Sequence, residues 1–212
     1  MTIVFVTAHD TQTAANLAIA QLIASPGDIN IFGANATRAN LLQTLASAIG
    51  PQSLFCMSHG SRDALLDDVR MGALQANDAE LLGTCKVFAW ACNTGARLGH
   101  VVAQAGGIWW GYDCPITAPD DRPMYTPIFA GIFAAIKTAF AACEDEASVA
   151  ALLLHIQGLC EAALAALDQM GAQHDFDSFS IYSCCNQIWS RLSVWLAHQP
   201  NPSRHPMAPP RL

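Results

Sequence analysis

Two stretches decide how this chain is read: Leu54-Phe55-Cys56-Met57-Ser58 running into His59-Gly60, and Val87-Phe88-Ala89-Trp90-Ala91 running into Cys92-Asn93-Thr94-Gly95. Each is a short apolar run that ends on a reactive side chain followed by small residues. Near-continuous apolar runs of this length fit strands buried on both faces, as the central strands of a parallel sheet are. The chain between them has room for one crossover helix, so the two strands can be neighbours. His59 and Cys92 then meet above the carboxyl edge of the sheet. In open α/β sheets functional residues gather at that edge, beside the topological switch point.

Working outward, residues 3–7 predict a first strand and 11–24 a helix stopped by Ser25-Pro26-Gly27. A second strand is expected at 29–32, closed by Gly33, and a second helix at 38–48, ended by Gly50-Pro51. After the third strand at 54–58 and a loop come a short helix at 78–82 with Asn77 or Asp78 as cap, a fourth strand at 87–91 and a fifth at 107–111. Strands separated by helical patterns predict parallel βαβ units with helices on both faces. Pro115, Pro119, Pro123 and Pro127 then punctuate a loop that contains Asp120-Asp121-Arg122. Helical patterns follow at about 126–143, 147–170 and 178–198, the last carrying Ile181, Cys185, Ile188, Leu192 and Trp195 on one stripe. The stretch 200–212 holds five prolines and is expected to be extended or disordered. One domain over 1–199 is expected, with no internal repeat.

Hydrophobic residues make up 52% of the 212 and charged residues 13%, a core-rich chain. The balance of 10 Lys+Arg against 17 Asp+Glu, a net charge of −7, argues against a general nucleic-acid or anionic-membrane surface. The longest apolar stretch, 127–143, is interrupted by Lys137 and falls short of the roughly 20 residues of a spanning helix, so no transmembrane segment is expected. The eight cysteines sit mostly in apolar strand-like or alanine-rich settings, where reduced cysteine behaves as a small hydrophobe. With no secretory leader read ahead of the first strand, a reducing cytosol is the expected compartment. Adjacent Cys184 and Cys185 have no Cys-x-x-Cys or histidine partner at ligand spacing, and no metal or cofactor is expected.

The chemistry of the two strand ends has definite requirements. A thiol of pKa about 8.5 needs an imidazole or a positive field beside it to act as a thiolate at neutral pH. The same imidazole, once protonated, can hand its proton to a leaving amine. An acyl-transfer site also needs donors aimed at the developing oxyanion. Gly60 allows close approach, so its N–H and that of Cys92 are the candidate donors. Taken singly, His59 reads as a strand-end histidine satisfied by backbone and Cys92 as a buried hydrophobe; the ordered pair is what favours a dyad. His100 and Trp109, Trp110, Trp189 and Trp195 read as packing.

An apolar strand ending His-Gly, followed by an apolar strand ending Ala-Cys, resembles the caspase-like cysteine peptidases. The run Ala91-Cys92-Asn93-Thr94-Gly95 is most similar to their CHAT branch. Gly106-Gly107 leading into a strand that ends Trp110-Gly111, a proline-containing loop and a helix extend the likeness over roughly 1–145. The resemblance implies a caspase-like doubly wound, mostly parallel sheet flanked by helices, with additional C-terminal helices. It implies a metal-independent cysteine endopeptidase with His59 as general base, Cys92 as nucleophile and the Gly60 and Cys92 amides as oxyanion donors. It also implies a cytoplasmic protein that cuts a specific protein substrate under the control of a sensor or partner protein, in bacterial antiviral defence or regulated death.

Trp90 stands where arginine-specific relatives carry an acid and caspases a glutamine, so neither substrate pocket transfers. In this fold the residues just after the first strand border the substrate pocket, a position held here by His9-Asp10, and Asp113 follows the fifth strand; either carboxylate, Asp10 or Asp113, is a candidate to receive a basic side chain, with Trp90 as a candidate wall. Asp67-Asp68 reads as a solvated turn, with a calcium site as the alternative some relatives suggest. Two other readings stay open: a catalytically silent caspase-like binding module, and a doubly wound domain for a small ligand, although Gly-x-Gly-x-x-Gly and Walker patterns are absent. The loop 113–127, having no continuous apolar face, is expected to stay mobile until a partner orders it.

Overall fold

The computed structural model describes residues 1–47 and 52–210. Along the chain come β1 (Thr2–Val6), α1 (Thr11–Ile23), β2 (Ile29–Phe32), α2 (Arg38–Ser47) and β3 (Ser53–Met57). A small hairpin, β4 (Ala64–Leu66) and β5 (Gly72–Gln75), precedes α3 (Ala79–Leu82), β6 (Lys86–Trp90), α4 (Leu98–Gln104) and β7 (Ile108–Tyr112). The C-terminal part holds α5 (Thr126–Ala139), α6 (Glu146–Gln169), α7 (Ser178–Ser190), β8 (Leu192–Trp195) and β9 (Ser203–Arg204).

Among the described residues seven strands form one sheet in the order β2-β1-β3-β6-β7-β8-β9. The pairs from β2 to β7 are parallel, and β8 and β9 extend the sheet antiparallel. The protein is thus an α/β domain with a mostly parallel sheet flanked by helices. From β1 the chain first goes out to β2 and then returns to β3 on β1's other side. The switch point therefore lies between β1 and β3.

The side chains of each central strand divide between two cores. Val4 and Val6 of β1, Phe55 and Met57 of β3, and Phe88 and Trp90 of β6 face one core with α1, α5, α6 and α7. Ile3, Phe5, Leu54, Cys56, Val87 and Ala89 face the other with α2, α3 and α4. This alternation, apolar on both sides, is why β3 and β6 read as unbroken apolar runs. Phe55 stacks on Phe88 at 5.0 Å, and Phe133 of α5 meets both rings edge-on. Among the described residues one helix, α6, is long and apolar enough to cross a membrane by length and composition. Here its Val149, Leu153, Ile156, Cys160 and Leu167 are buried, and it packs on α5 and α7. It is capped by Asp145, whose carboxylate accepts from the Ser148 amide at 2.8 Å.

The fold departs from expectation in three places, two of them C-terminal. The helix expected at 178–198 ends at Ser190, and Leu192–Trp195 is a strand on β7, pairing Trp109 with Trp195 and Trp110 with Val194. Leu192 and Trp195 do continue the helical stripe. The open edge of β7, however, offers a row of backbone groups that only a strand can satisfy. The proline-rich tail is also partly ordered. Ser203–Arg204 pairs with β8, and His205 is buried with its ring 4.8 Å from Trp189. Prolines beside so short an edge strand are no obstacle, because its outer N–H groups need no partner. The hairpin β4–β5 stands where only a loop was expected. The helix expected at 126–143 is α5 continued by a 3-10 turn at Phe140–Ala142. The stop expected at Gly50-Pro51 lies outside the described residues.

Candidate active site

The register of β3 on β6 builds the site. Met57 pairs with Trp90, and the Ser58 amide still bonds the Trp90 carbonyl at 3.1 Å. His59 and Cys92 are each two residues past that last pair, so both leave the sheet at the same height. Both line one cleft of about 660 Å³. Gly60 lies against the turn that follows Cys92 so closely that a Cβ there would stand 2.5 Å from the Cys92 carbonyl oxygen and 2.6 Å from Thr94 Cγ2. After Cys92 the chain turns sharply. Asn93 takes a left-handed backbone (φ 64°), a conformation asparagine tolerates. Its amide bonds the Cys114 carbonyl at 3.2 Å, and the Gly95 amide bonds that of Tyr112 at 2.7 Å.

Asp10 has a different place from the one expected. It follows β1, on the other side of the switch point, and caps α1 by accepting from the Thr13 amide at 3.0 Å. Its second oxygen, Oδ2, lies 2.8 Å from His59 Nε2 and also accepts from Arg70. Asp10 is therefore committed to the histidine and is not free to receive a substrate side chain. Burial pushes the Asp10 carboxyl up, but hydrogen bonds from Arg70, His59 and Thr13 outweigh it and hold the group well below the usual carboxylate range. An ionised carboxylate can only accept. In the neutral imidazole, Nε2 thus carries the proton and Nδ1 keeps the lone pair that can act as a base.

The Cys92 sulfur accepts from the Ile116 amide at 3.3 Å, with the Ile116 carbonyl oxygen 3.7 Å away. Ile116 belongs to the proline-punctuated loop, which covers one side of the cleft with Thr117, Ala118, Pro119, Asp120 and Asp121. This loop is better anchored than expected. The Thr117 amide bonds Gln187 Oε1 of α7 at 2.7 Å, and Arg122 bridges Asp120 and Asp175 while lying over the Tyr125 ring. Polar side chains from α7 supply the anchorage that an apolar face does not.

Of the remaining candidates, Trp90 lines the cleft, with its body packed edge-on to Tyr112 and Phe133. Asp113 does not; it lies in a separate depression with Arg62, Asn93, Cys114, Arg191 and Arg204. The carboxylates at the cleft are instead Asp120, Asp121 and Asp177, the last from the start of α7. The expected solvated turn at Asp67-Asp68 is a brace, with Asp67 buried and Asp68 half-buried: Asp67 Oδ1 accepts from the Val69 and Met71 amides, and Asp68 Oδ1 accepts from the Ala8 amide at 2.7 Å.

All eight cysteines are free thiols, and Cys92 and Cys114 are the partly exposed ones. Burial pushes the Cys114 thiol up, the Cys85 thiol up to about 12 and the Cys56 thiol well above its ordinary value. Near pH 7, iodoacetamide is therefore expected to modify Cys92 before the other seven, and His59→Ala to remove most of that advantage. Peptide mapping of a labelling time course checks it; equal rates at Cys92 and Cys114 would show that the thiol is not activated.

Comparison of the chain with family models, with curated proteins and with solved structures finds no match.

Proposed function

We propose that this protein is a caspase-like cysteine endopeptidase, with Cys92 as nucleophile, His59 as general base and Asp10 holding His59 in place. The observation that carries the reading is the shared register of the two strand ends, which brings imidazole and thiol to one cleft with a carboxylate behind the imidazole. In the proposed reaction His59 Nδ1 takes the Cys92 proton and the thiolate attacks the scissile carbonyl carbon. The negative oxygen so formed accepts from the Gly60 and Cys92 amides. The C–N bond then breaks as the imidazolium gives its proton to the departing amine, leaving a thioester on Cys92. Water attacks the thioester with His59 again as base, which releases the acid and restores the thiol. A basic substrate side chain entering the cleft would meet Asp121 and Asp177, both exposed there, rather than Asp10 or Asp113.

The biological setting rests on the sequence resemblance: a cytosolic peptidase acting on a particular protein substrate, held in check or released by a sensor or partner in a bacterial defence or regulated-death system. The test is hydrolysis of a peptide library by the purified chain, alone and with the proteins encoded beside it. Turnover is expected to fall at least about 1,000-fold in Cys92→Ala, and a peptidyl halomethyl ketone to add its mass to Cys92 in the wild type. Hydrolysis that survives in Cys92→Ala would overturn the assignment. A wild-type chain that cleaves nothing with any neighbour and takes no adduct would favour the silent binding module.

A further inference from the structure

Behind the proposed catalytic histidine, His9, Asp10 and His59 each offer one donor atom, and these atoms all lie within 4.8 Å of one another. His59 Nε2 is 2.8 Å and His9 Nε2 3.2 Å from Asp10 Oδ2, and the two imidazole rings are 5.3 Å apart. Ligand atoms around a tetrahedral zinc-like ion, bonded at about 2.0–2.2 Å, sit roughly 3.3 Å from one another. Two imidazoles and one carboxylate are a donor set for borderline divalent transition ions and not for magnesium or calcium, which prefer all-oxygen sites.

A cation already uses this point. Arg70 donates from Nε to His9 Nε2 at 2.9 Å and from Nη2 to Asp10 Oδ2. Its side chain is 58% exposed and comes from the Asp67–Met71 turn, where Arg70 itself takes a left-handed backbone (φ 62°). Such a side chain can swing into solvent without disturbing a core. Because Arg70 donates to its Nε2, His9 already carries its proton on Nδ1, the form a metal-bound histidine needs. Among the described residues that buried Nδ1 has no hydrogen-bond partner, and it faces Asp68 Oδ1 at 3.8 Å. A carboxylate behind the far nitrogen is the usual support of a metal-bound imidazole.

We propose that a divalent transition ion of the zinc type binds His9, Asp10 and His59 in place of the Arg70 guanidinium, and that this binding switches the peptidase off. The switching half rests on the peptidase reading above; the binding half does not. For neutral His59 the step balances without a net proton. The proton on Nε2, which hydrogen-bonds Asp10, moves to Nδ1, and the ion takes the lone pair so freed on Nε2. The nitrogen that would accept the thiol proton is then already occupied by a proton of its own.

The test separates the two halves. Zn²⁺ is titrated calorimetrically into Cys92→Ala, which lacks the competing thiol, and Co²⁺ binding to the wild type is followed by absorption. One site per chain is expected, with no heat from Mg²⁺. Affinity should fall at least tenfold in His9→Ala and rise about tenfold in Arg70→Ala, where no guanidinium has to be displaced. A cobalt spectrum with a thiolate charge-transfer band, or unchanged affinity in Arg70→Ala, would overturn the site, and circular dichroism establishes that both variants are folded. In the activity arm, Zn²⁺ should inhibit the wild type reversibly on chelation, and inhibit Arg70→Ala at about tenfold lower concentration. Binding as described by a chain that cleaves no peptide would leave the metal site standing and remove the peptidase. Binding without inhibition of an active chain would overturn the switch.

Discussion

Asp10→Asn is expected to lower kcat/KM by about 1,000- to 10,000-fold while the protein stays folded. Losses of this size follow when the carboxylate behind a catalytic imidazole is made an amide, because the ring is then no longer held in the required tautomer. Asparagine caps a helix about as well as aspartate, so α1 should keep its start. The stability effect is small, about 1 kcal/mol, since the carboxylate is partly solvated, and its pH dependence has a fixed sign. Burial raises the Asp10 carboxyl but the bonds from Arg70, His59 and Thr13 depress it further. A depressed carboxyl adds stability that is fully present above its unfolded pKa of about 3.9 and is lost as pH falls toward the folded value. Wild type should therefore exceed Asp10→Asn by a constant margin from neutrality down to about pH 4, with the gap closing below. Thermal melts across pH check the stability, and kcat/KM on a cleaved peptide checks the rate. Full activity in the variant would remove Asp10 from the mechanism.

Gly60→Ala is expected to cost about 3 kcal/mol and at least 100-fold in activity. The added methyl would lie 2.5 Å from the Cys92 carbonyl oxygen, 2.6 Å from Thr94 Cγ2 and 3.0 Å from Ala91 Cβ. The nearest atom is backbone, and it can retreat only by carrying Cys92 with it. Overpacking of this kind typically costs 1–3 kcal/mol, and displacing a reacting group by an ångström can cost about 100-fold in rate. Gly131 and Gly158 are the controls. They lie on exposed faces of α5 and α6 with open space around them, so alanine should stabilise there by roughly 0.5–1 kcal/mol. Denaturant melts and the labelling rate of Cys92 measure both effects. A Gly60→Ala protein as stable and reactive as wild type would mean that the strand ends are not packed this closely.

What could be read from the sequence and what could not divides along physical lines. β1, β3, β6 and β7 announce themselves because strands buried on both faces must be apolar throughout, whereas the edge strand β2, with Asn30 exposed, shows only as a short apolar run closed by Gly33. His59 and Cys92 stand out because each interrupts such a run at its end. The hairpin β4–β5 is too short, at three and four residues, for alternation to rise above a loop. The change from α7 to β8 has no glycine or proline to mark it, and Leu192 and Trp195 happen to suit both periods. Asp10 was visible as an acid after a strand, the same placement as His59 and Cys92. Its partner was not, because whether such an acid faces substrate or histidine depends on the order of strands in space. Arg70 gave no signal at all; an exposed arginine on a turn is common, and only the fold brings it to Asp10.

The indole Nε1 of Trp195, on β8, donates to the Gly95 carbonyl at 2.7 Å and ties the turn after Cys92 to one of the last two strands. Those two strands are antiparallel at the sheet's edge, the arrangement that yields one bond at a time when pulled from the free end. Tension on the C-terminus would therefore unzip β9 and then β8, releasing Gly95 while the parallel strands beneath still stood. One of the ties on the turn after Cys92 thus runs to the antiparallel edge of the sheet, so a pull on that edge would be felt at the thiol.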